Sequence, residues 1–502
     1  MSSTPSPQFT GNTAVTVVLT STANDQLLGY NIGFSGITLT EQSGKTATLL
    51  PASANNSGPW AEFVHINSKA EPLLTAAIPQ GVYTSATISI SEAGFDCSAY
   101  GLVDGTQTIS SAFYMAGVIP AVTVNFPSPI TVTGASTVLS LDLEVLQSET
   151  IGSCLSVDDF AGFSIAPKFS LVPLSIIPVP TNATNGKVID LDGEITALTS
   201  GGQSFTLGIP TVQAPRSLSV AANGSTAFQG ISDFSALAVG TFVNVDGAIQ
   251  ANGSLLASRI AVEDPSAAEV FRGPLLQVDN AASEAFVDAR EQQGNQLPGY
   301  SWGFGNISYS GATFQISDQL PNLKTLPFTP AFDPTSIVPG QEVYVSAPGM
   351  APNGYANTAV LTLMPQTING TITASSQSGN FTVYTTSLAP YDLFPAFAVQ
   401  PNQPNVEIDP SQVQVYVDDN TQLLNTQTLA AGGTFRFYGL VFDDNGTLRM
   451  DCAQVNDGVA FSAPPSASQQ SYMPGGVVQQ IRRATPGGSQ QIISTIKTRP
   501  QS

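Results

Sequence analysis

Hydrophobic and polar residues alternate along many short stretches of the chain. In 139–145 every second residue is Leu or Val, with polar residues between them. The same alternation recurs in 86–91, 122–126 and 413–417. A period of two predicts half-buried β-strands. Long helical periodicity is absent, and 44 glycines and 36 prolines punctuate the chain, so the pattern predicts an all-β protein.

A longer pattern occurs three times in the last two thirds of the chain. Its first copy reads Leu237, Gly240, Val243, Val245, Gly247 and then Asn252-Gly253. The glycines that correspond to Gly240 are Gly340 and Gly432, and the second copy has Ala347 at the position of Gly247. Each copy follows two predicted strands and a turn that Asp233 or Asp333 can cap. This order favours a small Greek-key β-barrel of the OB type.

These patterns divide the chain into an N-terminal β-sandwich, three OB-like β-barrel repeats and an extended tail. The sandwich is expected because the first third holds many short strands. The expected boundaries are a tether at 1–10, the sandwich at 11–168, a Pro-rich linker at 169–185, repeats at 186–265, 267–366 and 367–458, and a basic tail at 462–502.

The charge of the chain limits its partners. Only 10% of its 502 residues are charged, and the formal net charge is −21. An acidic surface repels phosphate backbones and anionic membranes, so nucleic acid is excluded as a partner. No apolar stretch is long enough to span a membrane. Glycans and Ca²⁺ stay compatible with such a surface.

The residues that could carry chemistry are few. His65 is the only histidine, and no nucleophile elbow, phosphate-binding loop or dinucleotide fingerprint is present. We therefore expect no enzymatic activity and interpret His65 as a half-buried or surface residue of a strand-like run. Cys97 and Cys154 could form a disulfide in an oxidising compartment, or stay as thiols. Cys452 is expected to be a small buried hydrophobic residue.

Paired acids occur at four places, and one of them resembles a calcium loop. Asp443, Asp444 and Asn445 supply hard oxygen ligands in a predicted turn, although the rest of a calcium loop is missing. As an alternative, Asn445-Gly446 is a hairpin turn that needs no metal. The other pairs are interpreted as solvated loop residues: Asp158-Asp159, Asp190 with Asp192, and Asp418-Asp419.

An aromatic cluster lies within an insertion of the second repeat. Tyr300, Trp302 and Phe304 could stack on the apolar faces of a sugar ligand. The alternative is a hydrophobic plug over one end of the barrel.

The tail from 462 to 502 contains no acidic residue and four basic ones. It holds two β-prone pieces, Val477–Ile481 and Ile492–Ile496. It is either a disordered tail or a strand donor for the sheet edge of another copy, which would give self-association.

Three segments resemble bacterial envelope proteins. Ile78-Pro79-Gln80-Gly81-Val82-Tyr83 resembles the Pro-x-Gly-x-Tyr turn of transthyretin-like and immunoglobulin-like sandwich domains, and this part of the chain also resembles an uncharacterised lipoprotein sandwich family. The segment 243–260 is similar to the closing hairpin of an uncharacterised OB-like repeat family. The first residues, Met1-Ser-Ser-Thr-Pro-Ser-Pro, resemble either the tether that follows a removed export signal or an ordinary frayed terminus.

Together these observations predict a non-enzymatic, extracytoplasmic protein of the cell surface or outer envelope, whose export signal is absent from this chain. Its expected role is display, adhesion or ligand binding. Two alternatives stay open: a surface-filament subunit that assembles by exchange of terminal strands, and a carbohydrate-active enzyme or its accessory module.

Overall fold

The protein is built almost entirely from β-strands in this computed structural model, which confirms the all-β class. The described residues are 9–22, 27–53, 58–103, 106–116, 119–150, 164–177, 186–199, 201–209, 216–264, 266–294, 303–349, 355–389, 392, 394, 412–457, 475–483 and 491–497.

The first module contains twelve strands and the short helix α1 (Val145–Ser148). The strands are β1 (Asn12–Thr22), β2 (Leu27–Glu41), β3 (Thr46–Leu50), β4 (Trp60–Glu62), β5 (Glu71–Pro79), β6 (Gly81–Val103), β7 (Thr106–Ala116), β8 (Val122–Val132), β9 (Ser136–Glu144), β10 (Glu149–Thr150), β11 (Ser164–Ile165) and β12 (Phe169–Pro173).

Two sheets of this module contribute to one hydrophobic core. One sheet has the order β12-β9-β1-β5, and the other contains β3-β2-β6-β7 with β4 and β8 at its sides. Val17 and Leu141 of the first sheet belong to the same buried cluster as Phe34 and Ile88 of the second. The alternating pattern of the sequence therefore marks the inward faces correctly. Tyr83 is also buried, and its hydroxyl donates to the Pro79 carbonyl at 2.7 Å.

Part of the expected linker forms strands. Phe169–Pro173 is β12 and pairs with β9 of the first module. Ile176–Ile177 forms β13, which pairs with a strand of the third repeat.

The described residues of the three repeats contain strands β14 to β33 and two short 3-10 helices, Phe234–Ala236 and Pro321–Lys324. The first repeat has β14 (Lys187–Leu198), β15 (Ser204–Ile209), β16 (Arg216–Ala221), β17 (Ala227–Gln229), β18 (Phe242–Ile249) and β19 (Leu255–Ala261). The second has β20 (Glu269–Asp279), β21 (Glu284–Ala289), β22 (Glu291–Gly294), β23 (Gly303–Ser308), β24 (Thr313–Ile316), β25 (Glu342–Ala347), β26 (Tyr355–Asn357) and β27 (Val360–Leu363). The third has β28 (Gln366–Ser378), β29 (Phe381–Leu388), β30 (Gln412–Val417), β31 (Gln422–Leu424), β32 (Thr434–Asp444) and β33 (Thr447–Asp457).

All three repeats share one order of strand pairing. In the first repeat β14 pairs with β15 and β18, β15 pairs with β16, and β18 pairs with β19. β16 also pairs with β19 in parallel, so the pairings of these five strands form a closed cycle. The third repeat pairs β28, β29, β30, β32 and β33 in the same way. In the second repeat the last strand is divided into β26 and β27, which pair with β23 and β25.

The repeated glycines have a structural cause. Gly240, Gly340 and Gly432 have φ values of +89°, +97° and +83°, a conformation that favours glycine. The position of Gly439 needs glycine for another reason, because a Cβ there would lie 1.9 Å from the Asp451 carbonyl oxygen. At this position β32 and β33 shift register, whereas β25 and β27 pair without a shift, and Ala347 fits there.

The two β-prone pieces of the tail form strands β34 (Gly475–Arg483) and β35 (Gln491–Lys497). They pair as a hairpin, and β34 also pairs with β7 of the first module. The tail therefore adds two strands to the β3-β2-β6-β7 sheet of the first module.

Candidate functional site

Asp190 lies in an irregular part of strand β14. The pairing of β14 with β18 shifts register between Val188 and Leu191, which marks a β-bulge. Within it Asp190 has φ +56°, a left-handed conformation that Asp adopts more readily than most residues. Its amide donates to Asp246 Oδ1 at 2.7 Å. The Asp190 side chain is buried, so its carboxylate requires partners within the protein.

Side chains from all four modules converge on this carboxylate. Arg272 of the second repeat donates to its two oxygens, at 2.8 and 2.6 Å. Lys69 of the first module lies 3.3 Å from Oδ2, and Tyr438 of the third repeat donates to the same oxygen. Asn244 of the first repeat donates to Oδ1 at 2.7 Å. Gln319 of the second repeat donates to the same oxygen at 2.9 Å. We use the name four-module junction for the following set of residues: Lys69, Asp190, Asp192, Asn244, Arg272, Gln319 and Tyr438.

The charges of the junction compensate one another. Burial alone would raise the pKa of Asp190, but the charges of Arg272 and Lys69 and the hydrogen bonds from Arg272 and Tyr438 outweigh it and hold that pKa far below its usual range. Burial would likewise lower the pKa of Arg272, but the charges of Asp190 and Asp192 raise it. Both groups are therefore ionised at neutral pH.

Arg272 also satisfies its remaining donors. Its Nη1 donates to Asp192 Oδ2 at 2.5 Å, and its Nε donates to Glu342 at 3.2 Å. Its Nη2 donates to the Pro365 carbonyl at 2.9 Å. The planar fork of arginine suits such a site, because it presents donors in several fixed directions at once.

The junction uses equivalent positions of the three repeats. The first strand of each repeat contains a glycine, at Gly193, Gly273 and Gly370, and the residue before it is Asp192, Arg272 and Asn369, respectively. The residue six places after Gly240 is Asp246, and the residue six places after Gly432, the third-repeat equivalent of Gly240, is Tyr438. Asp192 and Arg272 thus occupy equivalent positions with opposite charges, and their side chains meet across the boundary between the first and second repeats.

The only histidine lies in a second buried ion network beside the junction. His65 Nδ1 is 2.9 Å from Glu62 Oε2, and Nε2 is 2.7 Å from Glu71 Oε2. Glu71 also pairs with Arg216 of the first repeat. Burial would raise the pKa of Glu62, but hydrogen bonds and charge from His65 lower it. Both ring nitrogens are thus engaged by carboxylates, which is a structural role. The strand-like run ends early, since β4 stops at Glu62.

A cleft of about 200 Å³ opens next to the junction, between the three repeats. The first repeat contributes Lys187 and Asp246 to its lining, the second repeat Asn322, and the third repeat Asp418 and Asp451. Tyr438 also lines it and so separates the cleft from Asp190. A neighbouring pocket of about 490 Å³ shares Asn322, Asp418 and Asn420 with this cleft. The two spaces thus adjoin along one polar wall.

Several buried acids near these features lack compensation. Burial raises the pKa of Glu263 and of Glu291 to about 7, although basic neighbours oppose it. Burial, together with the charge of Asp418, raises the pKa of Asp451 to about 7 as well. Perturbed acids of this kind concentrate at functional sites, although structural ion networks also produce them.

The acid pair Asp190 and Asp192 was expected to be solvated, and this interpretation is wrong. Both side chains are buried, at 2% and 8% exposure. The sequence carries a signal that could have indicated their burial: Asp190 and Asp192 alternate with the apolar Leu191 immediately before Gly193, which recurs as Gly273 and Gly370 in the other repeats. In a repeat whose neighbours have arginine or asparagine there, such acids indicate an interface between repeats.

The hairpin proposed for calcium uses its polar groups internally. Asp443 Oδ1 accepts from the Gly446 amide at 2.7 Å, and Asp444 Oδ2 pairs with Arg449 at 2.7 Å. Asn445 has φ +53°, as a tight turn requires. No group of three or more His, Cys, Asp or Glu side chains in the described ranges is arranged to hold a metal ion. Calcium at this hairpin stays a prediction.

The structure describes little of the aromatic cluster. Tyr300 and Trp302 lie outside the described residues, and only the backbone of Phe304 is described, in β23. The structure likewise describes little of the two cysteines of the first module. Cys154 lies outside the described residues, and Cys97 is described only as part of β6. Asp158 and Asp159 also lie outside. Cys452 is confirmed as a buried free thiol.

Comparison with known proteins identifies one family. The family described as "Domain of unknown function (DUF5666)" matches residues 192–261. This segment extends from the junction residue Asp192 through β19, so the first repeat is similar to an uncharacterised family, as expected. No curated protein matches the chain. No solved structure matches it either. Among the described helices, none has the length and apolar character that crossing a membrane requires.

Proposed function

We propose that this chain is a non-enzymatic, extracytoplasmic surface protein that presents a binding surface on a rigid four-module scaffold. The observation that carries the proposal is the convergence of Lys69, Asn244, Arg272 and Tyr438 on Asp190. A buried carboxylate with partners in every module opposes separation of the modules, because separation would break several charge-assisted hydrogen bonds that the low dielectric of the interior strengthens. Such a scaffold suits display or ligand binding better than a reaction that needs domain closure.

Further features support the proposal. The shared pairing order, with its parallel contact between the third and last strands, is compatible with a five-stranded OB-like barrel in each repeat. Two sheets around one core support a sandwich for the first module. The only imidazole of the chain is held by Glu62 and Glu71, so it is poorly placed for proton transfer to a substrate.

The location is tested on intact cells of the producing organism. We expect added protease to degrade this protein in intact cells while a cytosolic marker survives. Degradation of the protein only after lysis would contradict the surface location. Rigidity is tested by small-angle scattering: the wild-type chain should keep one radius of gyration from low to high salt, and Arg272→Met should increase it.

A second function, self-assembly by strand exchange, is favoured by one observation. Strand β34 of the tail pairs with β7 of the first module over Gly475–Gln480. The same pairing between two copies would join them edge to edge. Removal of residues 462–502 should then leave a monomer under conditions where the full chain associates. Unchanged association of the shortened chain, measured by sedimentation, would reject this function.

A further inference from the structure

The cleft between the three repeats contains a carboxylate oxygen without a partner. Asp451 on β33 is 0% exposed, and its Oδ2 makes no hydrogen bond within the described part of the chain. Its Oδ1 is only weakly satisfied, by the Asn322 amide at 3.4 Å. A buried carboxylate normally has a cation or several donors as partners. Here Oδ2 lacks both.

The surrounding groups give the cleft an excess of negative charge. Asp246 and Asp418 line it together with Asp451, against the single lysine Lys187. Asp418 accepts hydrogen bonds at both carboxylate oxygens, from the Asn420 and Thr421 backbone amides at Oδ1 and from the Asn420 side chain at Oδ2. Asp246 Oδ1 accepts from the Asp190 amide, and its Oδ2 lies 3.8 Å from Arg259. Among these three acids, Asp451 is therefore the one with a buried oxygen that no described group serves.

The shape of the cleft limits what can reach Asp451. At about 200 Å³ the cleft is smaller than the pockets that hold drug-sized ligands, which start at about 300 Å³. It shares Asn322, Asp418 and Asn420 with the wider pocket of about 490 Å³. A narrow inner space that adjoins a wider one fits a ligand with a small head and a longer body.

We propose that this cleft binds the primary ammonium group of an alkylamine, with Asp451 as its anchor. An ammonium group donates three hydrogen bonds, so it can serve Asp451 Oδ2 and the amide oxygens of neighbours such as Asn322 or Gln319. A metal ion is a poorer fit, because the described acids form no metal-binding group. The ammonium belongs either to a free diamine or to a lysine side chain of a partner protein.

This inference names a ligand for the binding role proposed above, and it rests on that role. The two can fail separately, because the surface location is tested by protease on cells and the ligand by titration of the purified full chain. A protein that is on the surface but binds no amine contradicts only the inference.

The titration uses calorimetry with 1,4-diaminobutane as the free diamine and Nα-acetyl-lysine methylamide as the lysine side chain. We expect at least one to bind at pH 8, with neutral 1,4-butanediol at least tenfold weaker. The stronger of the two amines identifies the source. Equal binding of the diol, or no binding of either amine, would overturn the proposal. Displacement of the amine by equimolar Ca²⁺ would overturn it in favour of a divalent-cation site.

The anchor is tested by Asp451→Asn, which should weaken amine binding at least tenfold because the negative charge is lost. The variant should still fold, because the substitution removes an uncompensated buried acid. Asp444→Asn is the matched control: it makes the same change in charge at the half-exposed hairpin and should leave binding unchanged. Equal effects of the two substitutions would show that only net charge matters and would overturn the assignment of Asp451.

The pH dependence of binding offers a second test of the anchor. Asp451 must be ionised to hold an ammonium group, and its pKa is about 7. Binding should therefore weaken about tenfold from pH 8 to pH 6. The other titratable groups that face Asp451 are Asp418, Asp246, Lys187, Tyr438 and Cys452. Burial raises the pKa values of Asp246, Tyr438 and Cys452 and lowers the pKa of Lys187, so the pH dependence is assigned to Asp451 only if Asp451→Asn abolishes it. Binding that is constant from pH 8 to pH 6 would contradict Asp451 as the anchor.

Discussion

The guanidinium of Arg272 and the carboxylate of Asp190 form a two-point ion pair, with N–O distances of 2.8 and 2.6 Å, across the boundary between the second and first repeats. The pair is buried on both sides. Such parallel charge-assisted bonds fix direction as well as distance. Asp190 also has a left-handed backbone within a β-bulge, so the carboxylate that Arg272 binds comes from an irregular part of the strand.

Loss of the guanidinium should destabilise the protein strongly. Arg272→Met leaves Asp190 and Asp192 buried with too little positive charge, so we expect the free energy of unfolding to fall by about 3–5 kcal/mol in urea titrations. Lys168→Met is the control, because among the described residues the exposed Lys168 ammonium donates only to the Gln147 side chain, at 3.2 Å; it should change the free energy of unfolding by less than about 0.5 kcal/mol. Similar losses for the two variants would contradict the role of the junction.

The junction should make the protein sensitive to acid. The folded-state pKa of Asp190 lies below its unfolded value, so its charge stabilises the fold fully above about pH 4, and this stabilisation is lost as the pH falls further. Asp190→Asn lacks that contribution. The difference in unfolding free energy between wild type and variant should shrink by up to about 1.4 kcal/mol per pH unit below pH 4. Parallel curves from pH 6 to pH 2 would contradict this account.

Glu263 should have the opposite pH dependence. Its Oε1 is buried and has no hydrogen-bond partner among the described residues, and burial raises its folded-state pKa to about 7, above the unfolded value. Its penalty is absent in acid, grows as the pH rises toward 7, and is constant above that. Glu263→Gln should therefore stabilise the protein by about 1–3 kcal/mol at pH 8 and have little effect at pH 4. A destabilising effect at pH 8 would show that the ionised form is compensated.

The bulge in the closing hairpin predicts unequal costs at equivalent positions. Gly439→Ala places a Cβ 1.9 Å from the Asp451 carbonyl oxygen, so we expect a loss of about 2–4 kcal/mol or a failure to fold. Ala347→Gly, the reciprocal change in the second repeat, should cost only about 1 kcal/mol. Thermal unfolding of the two variants measures the difference. Equal shifts in Tm would mean that the register shift at Gly439 relaxes easily.

The strands and the repeats could be predicted from the sequence, because both depend on local patterns. Alternation such as that of 122–126 follows from one buried and one outward face, and Gly240 and its equivalents follow from positive φ angles. The outward faces were harder to interpret. Polar residues there usually contact water, and only the packing of one repeat against another decides that Asp190 and Asp192 do not.

The cleft and the His65 network could not be predicted from the sequence, for a related reason. His65 contacts Glu71 and Glu62 within the first module, but Arg216 reaches the same network from the first repeat. Asp451 comes near Asp246 only through the packing of the third repeat on the first. No spacing in a single sequence reports such contacts between distant segments. Sequence reasoning therefore found the units and missed what they form together.

Asp192, Arg272 and Asn369 occupy one and the same place in three related units, and this has a consequence for how the protein can evolve. A chain in which a copy of the first unit took the place of the second would put an aspartate where Arg272 stands, beside Asp190 and Asp192 in the interior. The units are therefore not interchangeable, unlike the identical turns of a solenoid.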